Sequence, residues 1–226
     1  MRLIGILGQA GSGKDEVGKQ LVQQGFYGLA LADPMKIFLM HLFDWSWEQL
    51  WGGSKLRNVI DPRYGFSPRE TLQHLGTEWA RSRAPDCHIN FGLRRVAEIC
   101  GDGRTEENWI VQDPLYQALP AAVIDQRWRR GHETPYDLLH GIYISDLRFR
   151  NEVEAVLNAG GEVYRIIRNA RTNTTSTGLK KHASEEEQKT ISDDDLTGII
   201  NNNSTLETLH DTITQLLETP HAAYRV

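Results

Sequence analysis

The chain has 226 residues, 39% of them hydrophobic, which is enough for one large α/β domain with a substantial core. Its formal net charge of −5 argues against a dedicated nucleic-acid-binding protein, which normally presents a basic face. Because the two cysteines have no CxxC spacing and no apolar run approaches the roughly 18 residues that span a bilayer, we expect a cytoplasmic protein.

A strand followed directly by a glycine-rich loop opens the chain. The apolar run at 3–7 predicts a central buried strand, and residues 8–15 read GQAGSGKD. Glycines allow backbone N–H groups to turn inward around a polyphosphate, and Lys14 can reach its outer phosphates. The pattern is GxxxxGK, but Asp15 stands where Ser or Thr usually binds Mg²⁺. Asp15 is therefore a candidate metal ligand, and the alternative is that it only caps the helix.

Strand and helix patterns then alternate to the end of the chain. Strands are predicted at 27–31, 141–146, 162–168 and 196–201. Helices are predicted at 15–24 and at 34–43, with Asp33 as the N-cap of the second. Four further helices are predicted, one behind a capping box at 67–70 with Leu72, Leu75 and Trp79 on one face, one from 85, one around 153–157, and one behind a second capping box at 204–207 with Leu206, Leu209, Ile213 and Leu216 on its buried face.

This alternation predicts a mostly parallel sheet with helices on both faces. Ligands of such folds bind at the carboxyl ends of the strands. The loop after residue 7 and Asp146, at the end of another strand, should therefore face one crevice. Asp146 is a candidate metal partner or substrate contact, and capping of the following helix is an equally good interpretation.

Six separated groups of residues carry a recognisable pattern. They are GSGKD at 11–15, LADPMK at 31–36, SPR at 67–69 with LGTE at 75–78, DLRF at 146–149 with Asn151 and Glu152, residues 165–168 with HASE at 182–185, and INNNS at 200–204. In order and rough spacing they resemble the deoxynucleoside monophosphate kinases encoded by bacteriophages, in which Asp also follows the loop lysine. The chain departs from that family at Asn203, where glycine is usual, and at Glu16, where Thr is common.

The resemblance implies a P-loop kinase fold and transfer of the γ-phosphoryl group of ATP to a deoxynucleoside 5′-monophosphate, giving the diphosphate and ADP, in phage nucleotide metabolism. It implies one domain over residues 1–226, with a helical NMP-binding region at 34–100 and a lid at 169–190. Residues 101–140, which the resemblance covers poorly, form a predicted insertion. Mg²⁺ is the implied cofactor, and no partner other than the small-molecule substrates is implied.

Phosphoryl transfer needs cations around two facing phosphates more than it needs a general base. We therefore predict a catalytic set of Lys14, Arg148 and Arg168. The ATP-binding set is Gly11, Ser12, Gly13, Lys14, Asp15, Glu16 and Asn201; the acceptor set is Lys36, Arg69, Gln73, Gly76, Thr77, Asp146 and Arg148; the lid set is Arg165, Arg168, Arg171, His182 and Glu185; and the metal ligands are Asp15 and Asp146. For each arginine and for Lys36, the alternative is a solvated surface charge.

Three other functions stay open at this stage. A P-loop kinase could act on another phosphorylated acceptor, of the dephospho-coenzyme A or phosphomevalonate type. A non-catalytic nucleotide-binding switch would need the loop but no second phosphate site. The basic patch at 127–130 could contact nucleic acid, although a solvated helix face fits the acidic chain better. The accepted bases and the oligomeric state, a homodimer included, are not determined by the sequence.

Overall fold

The computed structural model describes residues 1–52, 54–100, 114–127, 139–169 and 183–219. Within these ranges five strands form one sheet: β1 (Arg2–Leu7), β2 (Phe26–Leu29), β3 (Gly141–Leu147), β4 (Glu162–Ile167) and β5 (Gly198–Asn201). The strand order is β2-β3-β1-β4-β5 and every pair is parallel, so the predicted parallel sheet with a central first strand is confirmed.

Helices connect the strands as crossovers. They are α1 (Lys14–Gln23), α2 (Asp33–Phe43), α3 (Trp47–Leu50), α4 (Ser54–Arg57), α5 (Pro68–Gln73), α6 (Cys87–Cys100), α7 (Pro114–Ala118), α8 (Ala121–Arg127), α9 (Arg150–Asn158), α10 (Ala183–Thr190) and α11 (Leu206–Glu218). A 3₁₀ turn, Asp193–Asp195, precedes β5. In the described part of the chain, no helix has the length and apolar character needed to cross a membrane.

The core lies on both faces of the sheet because β1 alternates its side chains between them. Leu3 and Leu7 belong to a buried cluster that includes side chains of α6 and α9. Ile4 and Ile6 belong to a second buried cluster with side chains of α1 and α11. Burying each such aliphatic side chain contributes about 1.5–3 kcal/mol, so the sheet is a stable platform for the loops at its carboxyl edge.

Two predicted helix caps are wrong by one residue. The N-cap of α2 is Ala32, because the buried carboxylate of Asp33 accepts a hydrogen bond from the Trp51 indole at 2.9 Å. The N-cap of α11 is Thr205 rather than Ser204, and its hydroxyl accepts from the Thr208 N–H at 3.2 Å. With this start, Leu206 is 59% exposed instead of lying on the buried face.

The helix after Ser67 changes its geometry halfway. Ser67 caps α5 through Glu70 N–H as predicted, but His74–Arg81 continues as a π-helical stretch. Its i→i+5 hydrogen bonds widen the turn and move side chains off the predicted face. Trp79, predicted to pack beside Leu72 and Leu75, is consequently 58% exposed.

An aromatic cluster holds the segment between α2 and α5. Phe43 stacks on Trp45 with ring centroids 4.6 Å apart, and both meet Phe66 edge to face. Beneath them the Asp61 carboxylate accepts from the Trp45 indole at 2.8 Å, and its hydrogen bonds with Arg63 hold its pKa well below the usual range. This packing fixes the loop that carries α4 and the start of α5.

The described part of the predicted insertion is helical and packs on the same region. Leu119, Val123 and Ile124, from α7 to α8, form a small buried cluster. Ile37 of α2 and Trp51 pack against it. Residues 101–113 and 128–138, which include most of the basic patch at 127–130, lie outside the described residues.

Candidate active site

The loop between β1 and α1 has the conformation that binds an anion. Gly11 and Gly13 have φ angles of 79° and 98°, in the left-handed region that glycine adopts without strain. Gly13 is the N-cap of α1, so the unsatisfied N–H groups of the helix begin at the loop. Successive amides turned in this way form a concave cradle for phosphate at a helix N-terminus.

Asn202 supports this loop from below and was missed in the sequence, where the neighbouring Asn201 was assigned to ATP. Its side-chain Nδ2 donates to the Ser12 carbonyl at 2.9 Å, and its backbone N–H donates to the Ile167 carbonyl at 2.8 Å. A Cβ on Gly13 would overlap that amide nitrogen, which is a second reason for glycine there. Asn201 itself ends β5 with its side chain exposed, so an adenine contact stays a prediction.

Lys14 lies over the same loop. Its Nζ donates to the Gly8 carbonyl at 2.6 Å and to the Gln9 carbonyl at 2.8 Å. The positive charge is therefore held beside the amides of the loop. This is the position from which an ammonium group can neutralise a phosphate bound there.

The carboxylates near the loop differ in what they contact. Asp15 is exposed in the first turn of α1, and since Gly13 is the N-cap, Asp15 is not the capping residue. Glu16 pairs with Lys19 at 3.1 Å and lies 3.8 Å from His210 Nε2. Asp15 makes no hydrogen bond or ion pair with the described residues, and its carboxylate oxygens are ligands of the kind that Mg²⁺ takes in addition to substrate phosphates and water.

Asp146 ties two strand ends together. Its Oδ1 accepts from the Leu31 N–H at 2.8 Å and its Oδ2 from the Ala32 N–H at 3.2 Å. It thereby fixes the turn before α2, a role that neither sequence interpretation anticipated, and it does not cap the following helix. Because both oxygens already accept hydrogen bonds, Asp146 fits a metal site less well than Asp15 does.

Arg148 follows β3 with its backbone held by a buried acid. Glu152 Oε2 accepts from the Arg148 N–H at 2.7 Å and from the Phe149 N–H at 3.1 Å. Burial raises the pKa of Glu152 to about 7, against these donors and Arg81, which favour the charged form. The main chain is thus fixed while the Arg148 side chain extends into solvent at the carboxyl edge of the sheet.

Arg81, at the end of the π-helical stretch, bonds to residues at the start of α9. Its Nη1 donates to Glu152 Oε1 at 3.0 Å and its Nη2 to Asn151 Oδ1 at 2.8 Å. The guanidinium carbon lies 3.5 Å from the centre of the Phe149 ring. The π-helical stretch that ends at Arg81 is therefore fastened to the start of α9.

Two predicted acceptor arginines and Asp15, which follows the phosphate loop, all lie within electrostatic range of Arg57. Arg57, at the end of α4, has its pKa lowered first by burial and then by the positive charges of Arg148 and Arg69. The charge of Asp15 acts in the opposite direction. Charged groups from three other segments thus lie within electrostatic range of Arg57. Arg57 was not singled out in the sequence, where it lies in a loop without a motif.

The remaining predicted acceptor residues lie in the same helical region. Lys36 Nζ is 5.4 Å from the centre of the Trp51 ring. Gly76 is buried in the π-helical stretch, and the His88 imidazole lies 3.2 Å from its carbonyl. Gln73 and Thr77 are half-buried on either side of it. Recognition of base or sugar by this segment stays a prediction, with His88 as an additional neighbour.

Of the predicted lid residues, Arg165 is placed elsewhere. It forms an ion pair with Asp193 and its Nη2 donates to the Ile191 carbonyl at 2.7 Å, so it anchors the segment before β5 rather than facing a phosphate. Arg168 is exposed directly after β4, at the same edge as the loop. Arg171 and His182 lie outside the described residues, as does the side chain of Glu185.

The end of the predicted lid is packed on the rest of the protein. Gln188 is buried, and Arg150 Nη2 donates to the Thr190 carbonyl at 2.9 Å. Asn203, which stands where glycine is usual in the resembling family, does not adopt a positive φ, and its Oδ1 accepts from the Asn169 N–H at 2.6 Å. The two ends of the 169–190 segment are thereby fixed near β4 and β5.

Comparison with known proteins supports the resemblance found in the sequence. No family model matches the chain. It is 28% identical over 219 residues to a curated protein of Acanthamoeba polyphaga mimivirus named "Putative deoxynucleotide monophosphate kinase", and the match covers 94% of each chain. The crystal structure of TT1252 from Thermus thermophilus matches over 96% of each chain with a TM-score of 0.41 and 15% identity, and no conclusion rests on it.

Proposed function

We propose that this protein is an ATP-dependent kinase that phosphorylates deoxynucleoside 5′-monophosphates to diphosphates. The name of the mimivirus relative supports nucleotide kinase activity in general. The observation that carries the proposal is that Arg69, Arg148 and Asp15, which directly follows the phosphate loop, all lie within electrostatic range of Arg57. A nucleotide-binding switch needs only the loop, whereas a kinase needs this second cationic site. A role in phage nucleotide metabolism in the host cytoplasm is part of the proposal and rests on the resemblance.

In the proposed reaction the donor phosphates lie on the loop. Backbone amides of 8–13 and the N-terminus of α1 hold their oxygens, and Lys14 neutralises charge that develops on the transferring group. The acceptor is a phosphate monoester with a second pKa of about 6, so it is already mostly ionised at neutral pH and needs no strong general base. Arg69 and Arg148 hold it in line, since guanidinium groups bind phosphate with two parallel hydrogen bonds.

Mg²⁺ is the proposed cofactor, and when bound it would neutralise charge on the donor phosphates. The exposed carboxylate of Asp15 beside the loop fits such an ion, because Mg²⁺ usually takes one or two carboxylates and keeps several waters. Asp146 contributes by fixing the turn at 31–32, directly before α2. Arg168, after β4, could supply a further cation.

Asp15→Asn should weaken the dependence of the rate on Mg²⁺. Losing one anionic ligand should raise the Mg²⁺ concentration for half-maximal rate by about tenfold, while the fold is unchanged because the side chain is exposed. A Mg²⁺ titration of the initial rate measures this. Asp211→Asn, a matched change at an exposed position of α11, should leave the titration where it is. An identical titration for both variants would limit Asp15 to a favourable charge at the helix N-terminus.

The function itself is tested by an acceptor panel. Purified protein is incubated with ATP, Mg²⁺ and each of dAMP, dCMP, dGMP, dTMP and modified pyrimidine monophosphates, with dephospho-coenzyme A and phosphomevalonate as rivals. We expect one molecule of deoxynucleoside diphosphate to form for each molecule of ADP. At least one deoxynucleotide should have a larger kcat/KM than either rival acceptor. Turnover of only a rival acceptor would overturn the substrate class. ATP binding without transfer to any acceptor would favour the switch.

A further inference from the structure

The guanidinium group of Arg57 is only partly hydrogen-bonded within the described residues. Within the described residues, its Nε is buried and makes no hydrogen bond. Its Nη2 donates to the Gly52 carbonyl at 2.8 Å. Buried donors in proteins are nearly always satisfied, and a charged one is the most costly to leave open. An acceptor atom that is not part of the protein would supply the missing hydrogen-bond partner of Nε.

The orientation of Arg57 is fixed through α3. The Gly52 N–H donates to the Trp47 carbonyl at 3.2 Å, so the carbonyl that receives Arg57 Nη2 is anchored to that helix. The neighbouring Trp51 is held by its indole bond to the buried Asp33. A guanidinium held on one edge keeps its other donors in a defined direction, which suits recognition of a planar or tetrahedral oxyanion.

The charges around Arg57 select an anion. Arg148 and Arg69 repel it, while Asp15 attracts it. Because Arg69 and Arg148 both act unfavourably on the Arg57 charge, an incoming dianion would relieve this repulsion. Since Asp15 directly follows the glycine-rich loop, Arg57 lies within electrostatic range of the start of α1 as well as of Arg69 and Arg148.

We propose that Arg57 binds the 5′-phosphate of the acceptor, with its free Nε donating to a phosphate oxygen alongside Arg69 and Arg148. This inference rests on the proposed function. The acceptor is favoured over the ATP phosphates because Arg57 and Arg69 both come from the helical region between α2 and α6, whereas the amides of 8–13 and Lys14 already serve the donor. Arg57 thereby defines the phosphate end of the acceptor site.

The test compares Arg57→Met and Arg57→Lys with Lys55→Met, which removes an exposed charge from the same short helix. Arg57→Met should raise the KM of the acceptor about tenfold or more, the size expected for a charged hydrogen bond, and leave the KM of ATP within about twofold. Arg57→Lys should recover part of the loss, and Lys55→Met should match the wild type. An unchanged acceptor KM, or equal rises for acceptor and ATP, would overturn the inference.

A second measurement does not depend on turnover. Inorganic phosphate should raise the melting temperature of the wild type and of Lys55→Met, and this increase should be smaller in Arg57→Met. If no deoxynucleotide is phosphorylated by the wild type, the proposed function fails, and this measurement alone decides whether Arg57 forms an anion site. Equal phosphate-dependent increases in all variants would show that it does not.

Discussion

Lys14→Ala should lower kcat by about 10³-fold or more, the largest effect expected of any single substitution in this chain. The Lys14 ammonium lies on the phosphate loop through the carbonyls of Gly8 and Gln9, so it is positioned to stabilise charge on the transferring group. Its loss removes the hydrogen bonds to these two carbonyls, and Lys14 belongs to neither buried cluster of the sheet. Steady-state rates and a thermal melt of the variant measure the two expectations.

Lys19→Ala is the matched control for this change. Lys19 lies on the exposed face of α1 and pairs with Glu16 at 3.1 Å, an exposed ion pair worth less than about 1 kcal/mol. Rates near the wild type are expected for it. If Lys14→Ala retained similar rates, the loop would not be the site of phosphoryl transfer, whatever it binds.

The sheet and the loop could be predicted because their signals are local. Residues 3–7 form an apolar run before the glycines, and parallel strands bring their carboxyl ends to one edge. That rule predicts that the loop after β1 and Asp146, at the end of β3, face one crevice. In the structure, Arg148, which follows β3, and Asp15, which follows the loop, both lie within electrostatic range of Arg57.

The supporting residues could not be predicted because their contacts are distant in sequence. Asn202 bonds to the Ser12 carbonyl across 190 positions, and Asp146 bonds to the Leu31 N–H across 115. No local periodicity records such pairs. Arg165 was assigned to the lid for its charge, but its partner, Asp193, lies 28 residues further on and holds it away.

The region between α2 and α6 could not be predicted for a different reason. A period of 3.6 residues predicted that Trp79 would pack with Leu75, but the π-helical stretch from His74 breaks that period. Arg57 lies on a four-residue helix that has too few turns to show any pattern. A role for Arg57 is indicated by its hydrogen bond to the Gly52 carbonyl and by the neighbouring charges, neither of which can be predicted from the sequence.

Arg148→Ala should lower kcat/KM for the acceptor by about 10²-fold, with little effect on the KM of ATP. The expected loss combines a charged, two-donor contact with the acceptor phosphate and its share of transition-state stabilisation. Arg148→Lys should recover only part of it, because an ammonium lacks the planar fork. Initial rates over a matrix of acceptor and ATP concentrations separate the two KM values.

The fold should be unchanged in Arg148→Ala, because position 148 is held in the structure by its backbone N–H rather than by its side chain. The Arg148 N–H bonds to Glu152, which alanine preserves, and the ion pair of Glu152 with Arg81 is untouched.

Arg94→Ala is the control for the loss of one positive charge, because Arg94 is an exposed arginine of α6, and this variant should leave both KM values unchanged. If Arg148→Ala left acceptor kcat/KM unchanged while Lys14→Ala abolished turnover, the loop would be confirmed and the acceptor site would have to lie elsewhere. The acceptor phosphate is therefore located by the difference between these two variants, since only Arg148 is expected to distinguish the acceptor from ATP.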